Sequence, residues 1–269
     1  MTFKQRDREF IQCSEKIAEQ RILIGFVQQI ILTSYRTSFH IYKDNFISLK
    51  KALSDYYEVL DSLLEKDVKR WHIQRNIIRH FHNVISSAKS FIDYLNISKR
   101  EIAFKEEFEI QIESVFNKSE LHDFMNLLRN YVIHIHNLPL ISRREMKKNN
   151  GAIETVHYES FDKDRIVEYL NSLNKRSNSK NFLLAKEFLE KSPKHINLTE
   201  VLYEYDKLLS EFYAWFIKKF VYQNRSNFLE LISSNEKFRE FAKSKNFKTE
   251  NPLTESQLRY LKYLVDKFV

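Results

Sequence analysis

Two nine-residue stretches of this 269-residue chain carry residue types that could do acid–base chemistry on a phosphate. They are Arg75-Asn76-Ile77-Ile78-Arg79-His80-Phe81-His82-Asn83 and Arg129-Asn130-Tyr131-Val132-Ile133-His134-Ile135-His136-Asn137, and both read R-N-x-x-x-H-x-H-N. Imidazole titrates near neutrality, so it can take a proton from one oxygen and give one to another. Guanidinium stays charged and presents a planar fork of donors, which suits the extra negative charge of a phosphorane. With 16 Arg, 20 Asn and 9 His in the chain, chance gives R-x4-H about 0.5 times but R-N-x3-H only about 0.04 times.

Helical geometry separates the polar groups from the apolar ones. At about 100° per residue, with Arg129 at the origin, His136 falls near −20°, Asn137 near 80°, Asn130 near 100° and His134 near 140°. Leu127, Leu128, Tyr131, Val132 and Ile135 occupy a separate apolar arc that can pack a bundle. The first copy repeats this, with Ile77, Ile78, Phe81, Val84, Ile85 and Ala88 opposite Arg75, Asn76, His80 and Asn83. Whether the stripes meet depends on Asn117-Lys118-Ser119: a reversal there puts them at opposite ends of the bundle, a kink at the same end.

The elements that must position these residues are almost all helical. Gly occurs twice and Pro three times, too few for the turns of a sandwich or barrel. Periodicity predicts helices from about Phe3 to Tyr35, from a cap at Asp44-Asn45 to Leu64, from Val68 to Asn96 and from Lys99 to Phe116. Ser119 caps the helix that carries the second copy and that Pro139 ends. From Leu140 to Glu159 the period changes, and Lys147-Lys148-Asn149-Asn150-Gly151 reads as the turn of a β-hairpin. Helices resume at Asp164–Leu173 and Asn181–Leu189, separated by a polar linker. Others start at Asn197, where Glu200 completes a capping-box variant, and at Thr254. The expected plan is an all-α bundle with an N-terminal helix over residues 1–138, a loop or hairpin over 139–163, and a helical region over 164–269 packing on the bundle.

The segment Leu128-Arg129-Asn130-Tyr131-Val132-Ile133-His134, in the last helix of a helical bundle, resembles the R-x4–6-H motif of the HEPN superfamily, in which a polar residue straight after the Arg is typical. The resemblance covers about residues 40 to 140. It implies a four-helix bundle that dimerises, a composite cleft, and metal-independent RNA cleavage by attack of the 2′-hydroxyl. It also implies roles in toxin–antitoxin or phage-defence systems, with a cognate antitoxin or regulatory protein as a partner. The motif residues carried over are Arg129, Asn130 and His134, with His136 also inside the allowed spacing. Arg75, Asn76, His80, His82 and Asn83 form a possible second motif without an assured counterpart. Many members of the superfamily have lost activity and serve as RNA-binding or protein-interaction modules.

Other readings bear on the same residues. A partly exposed helix end explains Arg129 and His134, and a histidine satisfied by a neighbouring helix explains His80 and His82. Residues i and i+2 on a helix point about 200° apart, so the His-x-His pairs cannot chelate one ion. Glu106, Glu107, Glu109 and Glu113 read as a solvated face, and no P-loop, G-x-G-x-x-G or nucleophile elbow occurs. No metal or cofactor is therefore expected. The charge of +8 favours a polyanionic partner, and Arg143, Arg144, Lys147 and Lys148 can extend a basic surface for RNA or merely a solvated turn. One cysteine, Cys13, leaves no disulfide framework, which fits a reducing cytoplasm. The most apolar stretch, Ile22 to Leu32, is far shorter than the ~20 residues a membrane span needs, and the first residues lack the order of a signal peptide. The expectation is a soluble cytoplasmic protein.

Overall fold

The computed structural model describes residues 3–19, 35–63, 67–99, 102–135, 140–149, 152–176, 182–244 and 253–268. Ten helices occur among them: α1 (Phe3–Glu19), α2 (Tyr35–Leu63), α3 (Asp67–Ser98), α4 (Lys105–Ile112), α5 (Glu120–Ile135), α6 (Lys163–Arg176), α7 (Leu183–Lys191), α8 (Leu198–Gln223), α9 (Arg225–Ser244) and α10 (Glu255–Phe268). A π-helical turn, Glu113–Asn117, follows α4. The strands β1 (Leu140–Asn149), β2 (Ala152–Asp162) and β3 (His195–Asn197) form one antiparallel sheet in that order. The expected all-helical chain with a small hairpin is what the structure contains. None of the described helices is long and apolar enough to cross a membrane.

Contacts divide the chain into two compact units, each drawn from separate stretches rather than following chain order: residues 1–37, 98–105 and 214–269, and residues 38–97 and 106–213. In the first, α1 lies along α9 with Lys16 paired to Glu230 at 3.4 Å. Arg36 sits 4.1 Å from the centre of the Tyr260 ring. Lys262 pairs with Glu236, and Phe104, Phe216, Phe220 and Phe228 form an aromatic chain.

The second unit holds both R-N-x-x-x-H copies, and its core is aromatic. Phe39 stacks on Tyr213 at 4.0 Å, Phe124 on Phe188 at 4.4 Å, and Phe212 meets both Phe108 and Phe116. Lys43 donates to both oxygens of Asp206 at 2.7 and 2.8 Å, and Tyr42 donates to Oδ1 at 3.1 Å. A partly buried carboxylate is thereby satisfied by three hydrogen bonds from two donor groups. Burial and the nearby Asp206 charge push the Tyr42 hydroxyl far above its ordinary range.

Three of the expected caps form. Ser119 Oγ accepts from the His122 amide at 3.1 Å, and Asn197 Oδ1 accepts from the Thr199 and Glu200 amides at 2.9 and 3.3 Å. Thr254 and Gln257 bond reciprocally at 2.8 and 3.2 Å, a capping box with Gln in place of Glu.

Other boundaries differ from the sequence reading. Helix α2 starts at Tyr35 rather than at Asp44-Asn45: the Asn45 side chain is used sideways, its Nδ2 donating to Ser87 on α3 at 3.2 Å, and the Asp44 backbone carbonyl accepts from Ser48 within the helix. The segment expected from Lys99 to Phe116 is helical only from Lys105 and ends in the π turn. Lys147, Lys148 and Asn149 lie in β1 rather than in a turn. They pair with Glu154, Ile153 and Ala152, which leaves Asn150-Gly151 to connect the strands. The polar stretch after Leu173 continues α6 to Arg176. Strand β3 was not expected. It adds to β2 at Ser160–Asp162 and runs straight into the α8 cap.

Helix α5 contains a buried histidine that gives a pH prediction. Asn126 Nδ2 donates to His122 Nε2 at 3.0 Å, so Nδ1–H is left to donate to the Tyr205 hydroxyl, also at 3.0 Å. Burial, aided by the charge of Lys89, lowers the His122 pKa to about 4. The folded state therefore binds fewer protons than the unfolded chain between the ordinary value of 6.5 and about 4. Stability from this group is complete above pH 6.5 and is lost as the pH falls through that window, by roughly 3 kcal/mol. Urea titrations at pH 7 and pH 4 should show this loss, and His122→Gln should remove most of it. An equal pH dependence in the variant would contradict the assignment.

Candidate active site

Contact order along the helices fixes where the two copies lie in their unit. Asn45 meets Ser87, whereas Tyr56 and Gln74 both reach Ser142, at 2.9 and 3.4 Å, so α2 and α3 run antiparallel. Lys43 meets Asp206 and Phe46 meets Tyr203, so α2 and α8 are antiparallel too. Along α5, Phe116 just before it meets Phe212 and His122 meets Tyr205, so α5 also opposes α8. It follows that α3 and α5 run in opposite directions. Arg75, early in α3, and Arg129, late in α5, therefore fall at the same end of the unit, the end where the hairpin docks.

The hairpin is held there by polar contacts. Ser142 Oγ donates to Glu159 Oε1, the Glu159 amide donates to the Tyr57 hydroxyl at 2.9 Å, and Glu159 itself is buried. Burial raises the Tyr57 hydroxyl to about 12, the Glu159 amide opposing that rise. Phe161, two residues on along the same face of β2, is 0 % exposed and touches Phe81 at 5.7 Å and Phe124 at 6.0 Å. The apolar arcs of α3 and α5 thus meet across a single β2 ring. Ile77, Phe81, Val84, Ile85 and Ala88 are buried on one side, and Leu127, Leu128, Tyr131 and Val132 on the other.

The polar arcs go elsewhere. His122, Asn126 and Arg129 follow one another at i, i+4 and i+7, and the first of them contacts α8. Arg129 is half-buried, and its Nε is buried with no hydrogen-bond partner. Asn130 is half-buried and His134, in the last turn, is exposed. His136 and Asn137 lie outside the described residues.

The first copy faces α2 instead. Asn76 and His80 line a groove of about 330 Å³ together with Ile73 and with Ser48, Lys51, Ala52 and Asp55 of α2. Burial and the charge of Arg79 lower the His80 pKa, so its imidazole is neutral near pH 7. None of Arg129, Asn130 or His134 lines this groove. Arg75 and Asn83 are exposed, and His82 is half-buried.

Of the four basic residues expected on the hairpin, the side chains of two, Arg143 and Lys148, are described. Successive strand residues alternate sides, so Arg143 and Lys148 project oppositely. Tyr158, across from Arg143, interacts with it and donates to Glu145 Oε1, and this last bond is the main reason the Tyr158 pKa is raised. The side chains of Arg144 and Lys147 lie outside the described residues.

Sequence reasoning did not single out Ser48, Lys51 or Asp55. Their spacing of three and four places them on one helical face, which is the only signal the sequence offers for them. No protein-family model, curated protein or solved structure matches the chain.

Proposed function

We propose that this protein is a metal-independent endoribonuclease of HEPN type, acting as a two-fold homodimer. The observation that carries this reading is Arg129: its Nε is buried without a partner while the residue keeps contact with solvent. An unsatisfied guanidinium nitrogen is costly unless an anion completes it, and an RNA phosphate is such an anion. His134, exposed one and a half turns on, is free to exchange protons with substrate. In this mechanism an imidazole removes the ribose 2′-proton, the 2′-oxygen attacks phosphorus, and a second imidazole protonates the departing 5′-oxygen. The products are a 2′,3′-cyclic phosphate and a 5′-hydroxyl, and Arg129 stabilises the charge on the non-bridging oxygens.

In-line attack needs base and acid on opposite sides of phosphorus. One α5 helix supplies one motif Arg and, about 140° around it, His134, whereas two symmetry-related helices supply a pair of each. The biological setting we infer is a toxin–antitoxin or phage-defence system, with RNA as substrate and an antitoxin or regulatory protein as a further partner. The purified chain is expected to cleave RNA in EDTA and leave cyclic phosphate ends. Cleavage that stops on chelation and returns with a divalent ion would refute the mechanism. A second reading, an RNA-binding module without catalysis, is favoured by the wide angle between Arg129 and His134 on one helix. RNA bound in EDTA but left intact would select it.

A further inference from the structure

The groove between α2 and α3 has no role in the chemistry above, yet its lining is varied for its size. Ser48, Lys51, Ala52 and Asp55 line it from α2, and Ile73, Asn76 and His80 line it from α3. At about 330 Å³ it is at the small end of ligand sites and fits one nucleotide-sized group rather than a duplex. We propose that this groove seats one unpaired nucleotide of the RNA strand, with its phosphate on Lys51, its ribose hydroxyl on Asp55 and its base edge on Asn76.

Each part of a nucleotide finds a matching group. Lys51 is an exposed ammonium that neutralises phosphate without being buried. Asp55, one turn further along α2, is an acceptor for the 2′-hydroxyl that distinguishes RNA from DNA. Asn76 offers a donor and an acceptor side by side, as a base edge requires. Ala52 and Ile73 give the base a small apolar surface. A neutral His80 hydrogen-bonds there without competing with Lys51 for the phosphate. A purely apolar ligand would leave five polar groups unread, and inorganic phosphate alone would meet the Asp55 carboxylate with nothing to gain from Asn76.

Placement adds to this. The groove belongs to the α3 segment that lies at the hairpin end of its unit, the end that carries Arg129. A strand cut at α5 can therefore be held by a flanking nucleotide at α3. The inference rests on RNA being the substrate but not on cleavage.

The test uses the full chain and a short labelled single-stranded oligoribonucleotide, with association followed by stopped-flow anisotropy ahead of any cleavage. Lys51→Ala and Asn76→Ala, both at exposed positions, are each expected to weaken binding by about tenfold with unchanged thermal melting. Lys51→Ala should also lower the slope of log affinity against log salt by about one. Asp55→Asn should narrow the preference for RNA over DNA of the same sequence. Wild-type affinity and salt slope in all three variants, in a protein that still cuts RNA, would overturn the groove and leave the ribonuclease reading intact. Absence of RNA binding by the wild type would overturn both. Adenosine 5′-monophosphate is the remaining arm: if it shifts the amide resonances of Ser48, Lys51 and Asn76 while the oligomer does not, a free nucleotide is the ligand and the proposal as stated fails.

Discussion

Arg129→Ala and His134→Ala chains are each expected to cut RNA at about one-hundredth of the wild-type rate or less, with melting temperatures nearly unchanged. The size follows from what each group does: loss of a positioned acid or base costs about 10²–10⁴-fold, and loss of a donor to developing charge costs about 10²–10³-fold. Stability is spared for different reasons in the two cases. His134 is exposed, so its removal leaves no cavity, and Arg129 carries a buried nitrogen without a partner, so its removal strands no acceptor. Mixing the two variants sharpens the test. A composite dimer cleft regains part of its activity in mixed dimers, because it again holds one Arg129 and one His134 where each variant homodimer lacks one of the two entirely, whereas a site wholly within one chain regains none. Full activity in either single variant removes that residue from the mechanism.

Phe161→Ala is the second change with a large expected effect, and it acts on stability. The ring is fully buried between Phe81 and Phe124, so truncation removes its transfer free energy and leaves a cavity that the three converging elements cannot close. Losses of about 3–5 kcal/mol are typical for such sites. In a unit of this size that amounts to about 10 °C or more in melting temperature. Since Phe161 ties β2 to both motif-bearing helices, catalysis should fall as well, unlike the effect of a mutation elsewhere in the core. A loss below about 1 kcal/mol would show that the sheet does not depend on this ring.

Much of this architecture is legible in the sequence because helices announce themselves by period and by caps. Ser119, Asn197 and Thr254 each satisfy backbone amides where a local side chain was positioned to do so. The hairpin is legible from Asn150-Gly151, a pair favoured where two residues join two strands. The start of α2 is not, because Asn45 carries the same local signal as a cap while its use is set by Ser87 of α3, 42 residues away. Strand β3 is three residues long and is defined by its partner rather than by its own composition.

The candidate site divides in the same way. Pattern alone draws attention to Arg129 and His134, and to Asn76 and His80. It does not reveal that the two copies lie at one end of the unit, nor that the first copy opens towards α2. Ser48, Lys51 and Asp55 are ordinary surface residue types, and only the choice of neighbouring helix turns them into a lining.

The bond between Lys43 and Asp206 joins residues 163 apart in the chain, and the Phe39–Tyr213 stack spans a greater separation still. During synthesis at about 5–20 residues per second, α2 leaves the ribosome roughly 10–30 s before the α8 segment that covers it. A helix forms in about a microsecond, so α2, with α3 following it directly in the chain, is complete long before α8 reaches it. Through that interval the nascent chain lacks the Tyr203 and Tyr213 rings that pack on Phe46 and Phe39, which leaves an apolar surface suited to a holdase and prone to self-association. Translation therefore holds these contacts apart for far longer than either helix takes to form.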